Sequence, residues 1–240
     1  MRIIISSGHG RHVQGAVGII NEVEEARRVT NRVAYLLEQM GVEVCMFHDD
    51  ESRNQQENIR RIVGFHNERG RDLDVSIHFN SFHPTSDYVQ MAGFRKVHRH
   101  MGVEVLYREA QTERPMAEAL SAGIAKVAGL KNRGAKQRKN LGFLNQTHAP
   151  AVLVEVCFVN SAEDVRHYQG AFEAICISIA ETLGGGRMHQ ELDSGRAIEV
   201  LQQAGVIATP SYWVNQVAKG AVAFLPQLLV KMAKWVKKYK

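Results

Sequence analysis

No run of apolar residues in this chain is long enough to cross a bilayer. Each is short and broken by charge, which excludes a transmembrane helix. Low-complexity tracts and internal repeats are also missing, so the composition is that of an ordinary globular protein. Cysteine is scarce. Cys45, Cys157 and Cys176 are odd in number and each sits in an apolar segment, the pattern of buried free thiols in a reducing compartment. Met1 and Arg2 lead straight into "IIISS", with no apolar region of signal-peptide length and no cleavage site, which predicts a protein made in the cytoplasm without an export signal. A strong charge bias is absent from most of the chain. The net charge is +5 and the pI ≈ 9.2, but the last ten residues, "KMAKWVKKYK", hold five lysines and no acid. That balance favours anionic partners in general. A nucleic-acid partner is not expected, since the main part of the chain has no recognised motif and no interleaving of aromatic with basic residues.

What is present is a regular alternation. Strand-like runs fall at about 2–6, 42–47, 73–79, 102–107, 141–144 and 151–158, with helical patterns at about 21–40, 54–69, 112–128 and 162–183. Strands alternating with helices of this length predict an α/β fold, a mainly parallel or mixed central sheet flanked by helices. Segment 80–101 shows no clear periodicity and reads as a long loop. Three consecutive glycines open a linker over 184–194, and the remainder, 195–240, reads as a small all-helical C-terminal domain. The expected division is thus a catalytic-sized domain over 1–183, a linker, and a helical module.

Polar residues stand where that core expects aliphatics. His78 lies in "VSIHFN", alternating with Val75, Ile77 and Phe79, so it can face a cleft at the strand's end; a core histidine bonded to backbone is the plainer alternative. His9 follows the first strand between Gly8 and Gly10, which allow a sharp turn. In helix 21–40 the stripe of Ala26, Val29, Val33, Leu36, Leu37 and Met40, extended back one turn, lands on Glu22. Glu24 falls on the opposite face and Glu25 at the edge, although any first-turn acid suits the helix dipole. Glu155 interrupts "AVLVEVCFV" with no cation nearby in sequence, and a buried carboxylate costs several kcal/mol unless it is paired, hydrogen-bonded or near a metal. Open α/β sheets bind ligands beyond the carboxyl ends of their strands, toward which these residues lie. Two histidines and a glutamate make a three-ligand zinc set that leaves a position for water, and a second carboxylate can move that water's proton.

In order, "SSGHG", Glu22, "DVSIHFNS", "GVEVLY", "NRGAK" and "THAPAVLVEVCFVNSAED" resemble the zinc-dependent N-acetylmuramoyl-L-alanine amidases of the amidase-3 family, cell-wall hydrolases of bacteria and phage lysins. The resemblance covers roughly residues 1–183. It implies zinc ligands at His9, Glu22 and His78, a catalytic glutamate at Glu155, and hydrolysis of the amide joining N-acetylmuramic acid to L-alanine of the peptidoglycan stem peptide. It departs from the family at Cys157, where glycine is usual, and at Ser6, Ser7 and Gly8, where Asp-Pro-Gly commonly precedes the first histidine. A phage or prophage lysin is expected, reaching the wall after lysis or holin-type release. A zinc endopeptidase acting on the stem peptide and a non-catalytic wall-binding protein are the alternatives.

The remaining histidines, His12, His48, His66, His98, His100, His167 and His189, read as solvated, with His83 and His148 borderline. Lys131, Arg133 and Lys136 read as a basic loop that either meets peptidoglycan carboxylates or is simply solvated. In the tail, Phe224, Leu225, Leu228, Leu229, Met232, Trp235, Val236 and Tyr239 recur at helical spacing opposite Lys231, Lys234, Lys237 and Lys238. That is either a basic amphipathic helix for an anionic membrane or the wall, or a stripe packed on the neighbouring helices. Sequence leaves the oligomeric state open.

Overall fold

The computed structural model describes residues 1–82, 88–91, 94–97, 100–186, 194–218 and 225–239. The chain falls into two units, Met1–Gly186 and Arg187–Lys240. His83, His98, His189 and Phe224, and most of the expected linker, lie outside the described residues.

The first unit is organised by β1 (Arg2–Ser7), whose Ile3, Ile4 and Ile5 are fully buried as befits a strand covered on both faces. β2 (Glu43–Phe47) and β3 (Leu73–Asn80) flank it in parallel, and β8 (Ala151–Phe158) is parallel to β3. β6 (Val103–Tyr107) runs antiparallel to β8 and carries β7 (Asn132–Gln137) parallel to itself at the edge. The six-stranded sheet has the order β2-β1-β3-β8-β6-β7, mainly parallel with one reversal.

Two layers of helix cover it. On the Phe79 face lie α1 (Glu22–Gln39) and α5 (Ala162–Gly170); the Phe79 and Tyr168 rings meet edge to face at 5.0 Å, and the Tyr168 hydroxyl donates to Glu25 at 2.6 Å. Glu25 is therefore buried and held, not at the edge of the helix as its position suggested. α3 (Arg114–Ala128) and α6 (Phe172–Gly184) pack against one another, and α6 also packs on α1. On the opposite face, α2 (Gln55–Asn67) and α4 (Gly142–Gln146) put Ile62, Phe143 and Leu144 against Leu106, Ala151 and Leu153 of the sheet.

Three expectations about elements are corrected. The run at 141–144 is helix α4, not a strand, because a short apolar run has no periodicity to separate a buried strand from a buried helical turn. The missing strand is β7, "NRGAKQ", paired on one side only and too polar to show alternation; Arg133 and Lys136 thus stand on a strand and not in a loop. The helix expected over 162–183 is two, α5 and α6, broken at Ala171, where φ is −120° and ψ 16°.

Segment 80–101 contains an antiparallel hairpin, β4 (Tyr88–Met91) and β5 (Phe94–Val97), rather than loop alone. Its outgoing end is clamped by Asn160, whose side chain exchanges hydrogen bonds with the Phe82 backbone at 3.1 and 2.8 Å. Its returning end is clamped by Asp164, which accepts from the N–H groups of Met101 and Gly102 at 2.9 and 2.8 Å.

The second unit consists of α7 (Ser194–Gln203), α8 (Pro210–Ala218) and α9 (Leu225–Tyr239) around Ile198, Leu201, Ile207, Leu229, Ala233 and Val236. The expected stripe of α9 divides. Leu229 and Val236 are buried, whereas Leu228, Met232 and Trp235 are exposed on the side that carries the lysines. No helix among the described residues is long and apolar enough to cross a membrane.

Candidate active site

β1 ends at Ser7 and the chain turns through Gly8, where an added Cβ would fall inside the His78 imidazole. His9 follows with φ 57°, the left-handed conformation that non-glycine residues rarely adopt and that persists where the surroundings enforce it. Gly15 is held to glycine as well, since a Cβ there would collide with the Glu22 carboxylate and the His9 ring. Glu22 opens α1 behind the N-cap Asn21, whose side chain accepts from the Glu24 N–H at 3.3 Å. The Glu22 carboxylate is buried and fixed by two backbone donors, Ala16 N–H to Oε2 at 2.6 Å and Phe79 N–H to Oε1 at 3.0 Å.

These constraints bring His9, Glu22 and His78 together. His78 Nδ1 lies 3.0 Å from Glu22 Oε1 and His9 Nε2 3.5 Å from Glu22 Oε2, while the imidazoles meet edge to face at 5.3 Å. One donor atom from each of the three lies within 4.8 Å of the others. Burial pushes the Glu22 carboxyl up, but the His78 hydrogen bond, the charges of both histidines and the Ala16 N–H outweigh it and hold it below the usual range. Burial pulls His9 down; it pulls His78 down too, and there Glu22 more than compensates. Two imidazoles and one carboxylate converging in this way fit a divalent cation of the zinc type. His9 Nδ1 is buried without a hydrogen bond of ordinary geometry among the described residues, and Gln55 is the polar side chain that interacts with the ring.

Glu155 pairs in register with His78 across β3 and β8, so the two side chains project from the same face of the sheet. The register slips just beyond them, between His78 and Asn80, a bulge of the kind that re-aims side chains beside active sites. Glu155 Oε2 is buried without a hydrogen-bond partner among the described residues. Burial raises its carboxyl to about 7, with His78 opposing and Glu22 and Glu104 adding to the shift. A group poised there exchanges protons readily near neutrality. Beneath His9 and His78 opens a mostly apolar cleft of ≈ 90 Å³, lined by Gln55, Ile59, Ser76, Leu141, Phe143 and Leu153 among others.

Sequence reasoning overlooked Glu104. It is the in-register partner of Glu155 on β6, almost fully buried, and it accepts from Arg133 Nε and Lys136 Nζ at 2.6 Å each. Its only signal is a charge between two valines in "VEV", which recurs at Glu43 on the exposed edge and at Glu155. Two histidines read as solvated are held inside instead. His66 is fully buried between Asp74, 2.7 Å from Nδ1, and Ser6 Oγ, 3.1 Å from Nε2; His48 bridges Ser7 Oγ at 2.8 Å and Asn31 Oδ1 at 3.0 Å. His100 stacks on His167 at 5.1 Å, and both are half-buried. His12 and His148 are exposed.

The profile of the family described as N-acetylmuramoyl-L-alanine amidase matches residues 3–183. An uncharacterized protein of Clostridium perfringens is 30% identical over 172 residues, 70% of this chain and 47% of its own length. A probable cell wall amidase, LytH, of Staphylococcus saprophyticus is 30% identical over 166 residues, 68% of this chain and 49% of its own. The chain thus spans about half the length of the curated relatives it matches. Among solved structures, the catalytic domain of the CD27L endolysin targeting Clostridia Difficile superposes with a TM-score of 0.66 at 24% identity, covering 79% of this chain and 99% of that domain. The catalytic domain of CwlV, an N-acetylmuramoyl-L-alanine amidase from Bacillus (Paenibacillus) polymyxa, gives 0.62 at 22% identity, over 77% and 97%. These two likenesses speak for the fold, and the match over residues 3–183 for descent: the chain belongs to the N-acetylmuramoyl-L-alanine amidase family.

Proposed function

We propose that this chain hydrolyses the amide between the lactyl group of N-acetylmuramic acid and L-alanine of the peptidoglycan stem peptide. The observation that carries the reading is the convergence of His9, Glu22 and His78 with Glu155 set directly across the strand pair. His9, Glu22 and His78 would hold zinc, which supplies Lewis acidity, polarising a carbonyl and lowering the pKa of a water molecule toward ~7. Glu155 takes the proton from the attacking water and returns it to the departing amide nitrogen. Its buried Oε2, without a hydrogen-bond partner among the described residues, gives it an acceptor for that work. The reading extends to a phage or prophage lysin released from the cytoplasm by lysis, a role supported by the shared fold of the CD27L endolysin catalytic domain. The lysine-bearing face of α9 would meet the anionic wall or membrane surface.

Mass spectrometry of purified peptidoglycan digested with wild type, Glu155→Gln and chelated protein tests the reading. Free stem peptides beginning with L-alanine should appear with the wild type, and Glu155→Gln should slow their release by about 10²–10⁴-fold. Cleavage at another bond of the stem makes the chain an endopeptidase. No release across several wall types, with zinc restored, makes it a wall-binding protein.

A further inference from the structure

The register places His78, Glu155 and Glu104 in one row across β3, β8 and β6, all on one face. The next strand extends the row with two cations. Arg133 Nε and Lys136 Nζ both reach Glu104 Oε2 at 2.6 Å, and Asn80 Nδ2 donates to Oε1 at 3.1 Å. Glu104 is thereby saturated, yet its single negative charge balances only one of the two cations. The Arg133 guanidinium is further positioned over the Phe158 ring, 5.0 Å from the centroid. Only Nε is engaged with Glu104, so among the described residues its terminal nitrogens are left as donors. Both side chains are partly exposed, 24% for Arg133 and 31% for Lys136. A buried carboxylate needs compensation, but Glu104 answers only one of these two partly exposed cations, and among the described residues neither is hydrogen-bonded to Glu155. The second cation suits an anion that arrives from outside.

Substrate direction, which rests on the amidase reading, says which anion. Glu155 serves the departing nitrogen, and the acyl side of the amide lies with His9, Glu22 and His78. The stem peptide therefore leaves the row away from His78, over Glu104 toward β7. Strands are spaced about 4.8 Å apart, which puts β7 about 10 Å from β8. Two extended residues span about 7 Å, so a carboxylate on the second residue of the stem arrives beside the cations. That residue is joined onward through its side-chain carboxyl, and its α-carboxylate is either free or amidated according to the wall.

We propose that Arg133 and Lys136, held on Glu104 in line with Glu155, form a subsite for the free α-carboxylate of the second stem-peptide residue and select against its amide. A carboxylate bonded to a positioned guanidinium and ammonium, set against a neutral amide, should give a preference of about 10-fold or more.

The test is calorimetric titration of the zinc-free full chain with two synthetic tripeptides, L-Ala-γ-D-Glu-L-Lys and its α-amide, alongside the ratio of kcat/KM for the corresponding muramoyl tripeptides. Tighter binding of the acid by about 10-fold in wild type, lost in Arg133→Gln and in Lys136→Gln and only partly kept in Arg133→Lys, whose single ammonium cannot both hold Glu104 and reach the ligand, supports the subsite. Equal binding of acid and amide by the wild type, or an unchanged ratio in both glutamine variants, overturns it. If Arg133→Gln does not fold, the partly exposed Lys136→Gln decides alone. A wild type that shows the binding preference and cleaves nothing keeps the subsite and removes the amidase reading.

Discussion

At the scale of single residues, the site is assembled by backbone constraint before chemistry. Gly8 admits the His78 ring, His9 accepts a strained φ, and two N–H groups aim the Glu22 carboxylate. Because the three donors are pre-positioned, zinc should bind the folded state and raise its melting temperature, by mass action on the native form. Differential scanning calorimetry with and without zinc checks this; His78→Ala should abolish the increment, and an unchanged melting temperature in the wild type would remove the metal from the site. His48 offers a second residue-scale expectation. Burial, reinforced by Arg27 and opposed by Asp50, lowers it from 6.5 to about 4, so the fold prefers the neutral ring that accepts from Ser7 and donates to Asn31. Its contribution to stability is complete above pH 6.5 and is lost as pH falls from there toward about 4, since the unfolded chain takes up the proton first. Buried His66 is depressed in the same direction. Chemical denaturation across that window should show stability falling, with a shallower fall in His48→Gln.

Secondary-structure elements differed in how plainly the sequence announced them, for physical reasons. β1, β3 and β8 are legible because they are buried on both faces and read as nearly continuous apolar runs. α1 is legible from one stripe, and extending that stripe identified Glu22 as an inward carboxylate but missed the buried Glu25. β7 is not, since an edge strand needs hydrogen bonds more than apolar contacts and tolerates "NRGAKQ". Glu104 escaped notice because its two cations lie 29 and 32 residues away, on a strand that was itself unseen. His66 was misjudged although its partners Asp74 and Ser6, 8 and 60 residues distant, stand on legible strands, because periodicity alone does not pair a helix with polar groups on a sheet. Element α4 supplies the test at this scale. Leu144 is fully buried against the sheet, so Leu144→Ala should cost about 2–5 kcal/mol in urea unfolding. A loss well under ~1 kcal/mol would mean that α4 is not part of the core.

For the whole molecule, each unit carries its own core. Residues 187–240 bury Ile198, Leu201, Ile207, Leu229, Ala233 and Val236, a small set for a domain of that size. Residues 1–186 produced alone should keep a cooperative unfolding transition and the zinc response. Residues 187–240 alone should melt broadly at lower temperature, as circular dichroism would show. Loss of cooperative unfolding from the larger fragment would mean that its stability depends on the tail.

The reversal of one strand has a further consequence. In an all-parallel sheet, a chain leaving the site edge at Asn80 would return at the opposite end of the sheet's strands. Because β6 runs against β8, the connection instead comes back at Val103, on the edge from which it departed. Asn160 and Asp164 pin its two ends where α5 begins, so the stretch between them is bounded like a cassette. Lengthening such a closed excursion costs only about 0.6 kcal/mol per doubling. Variation within this scaffold can therefore proceed by exchange between Phe82 and Met101, leaving the sheet, His9, Glu22, His78 and Glu155 untouched.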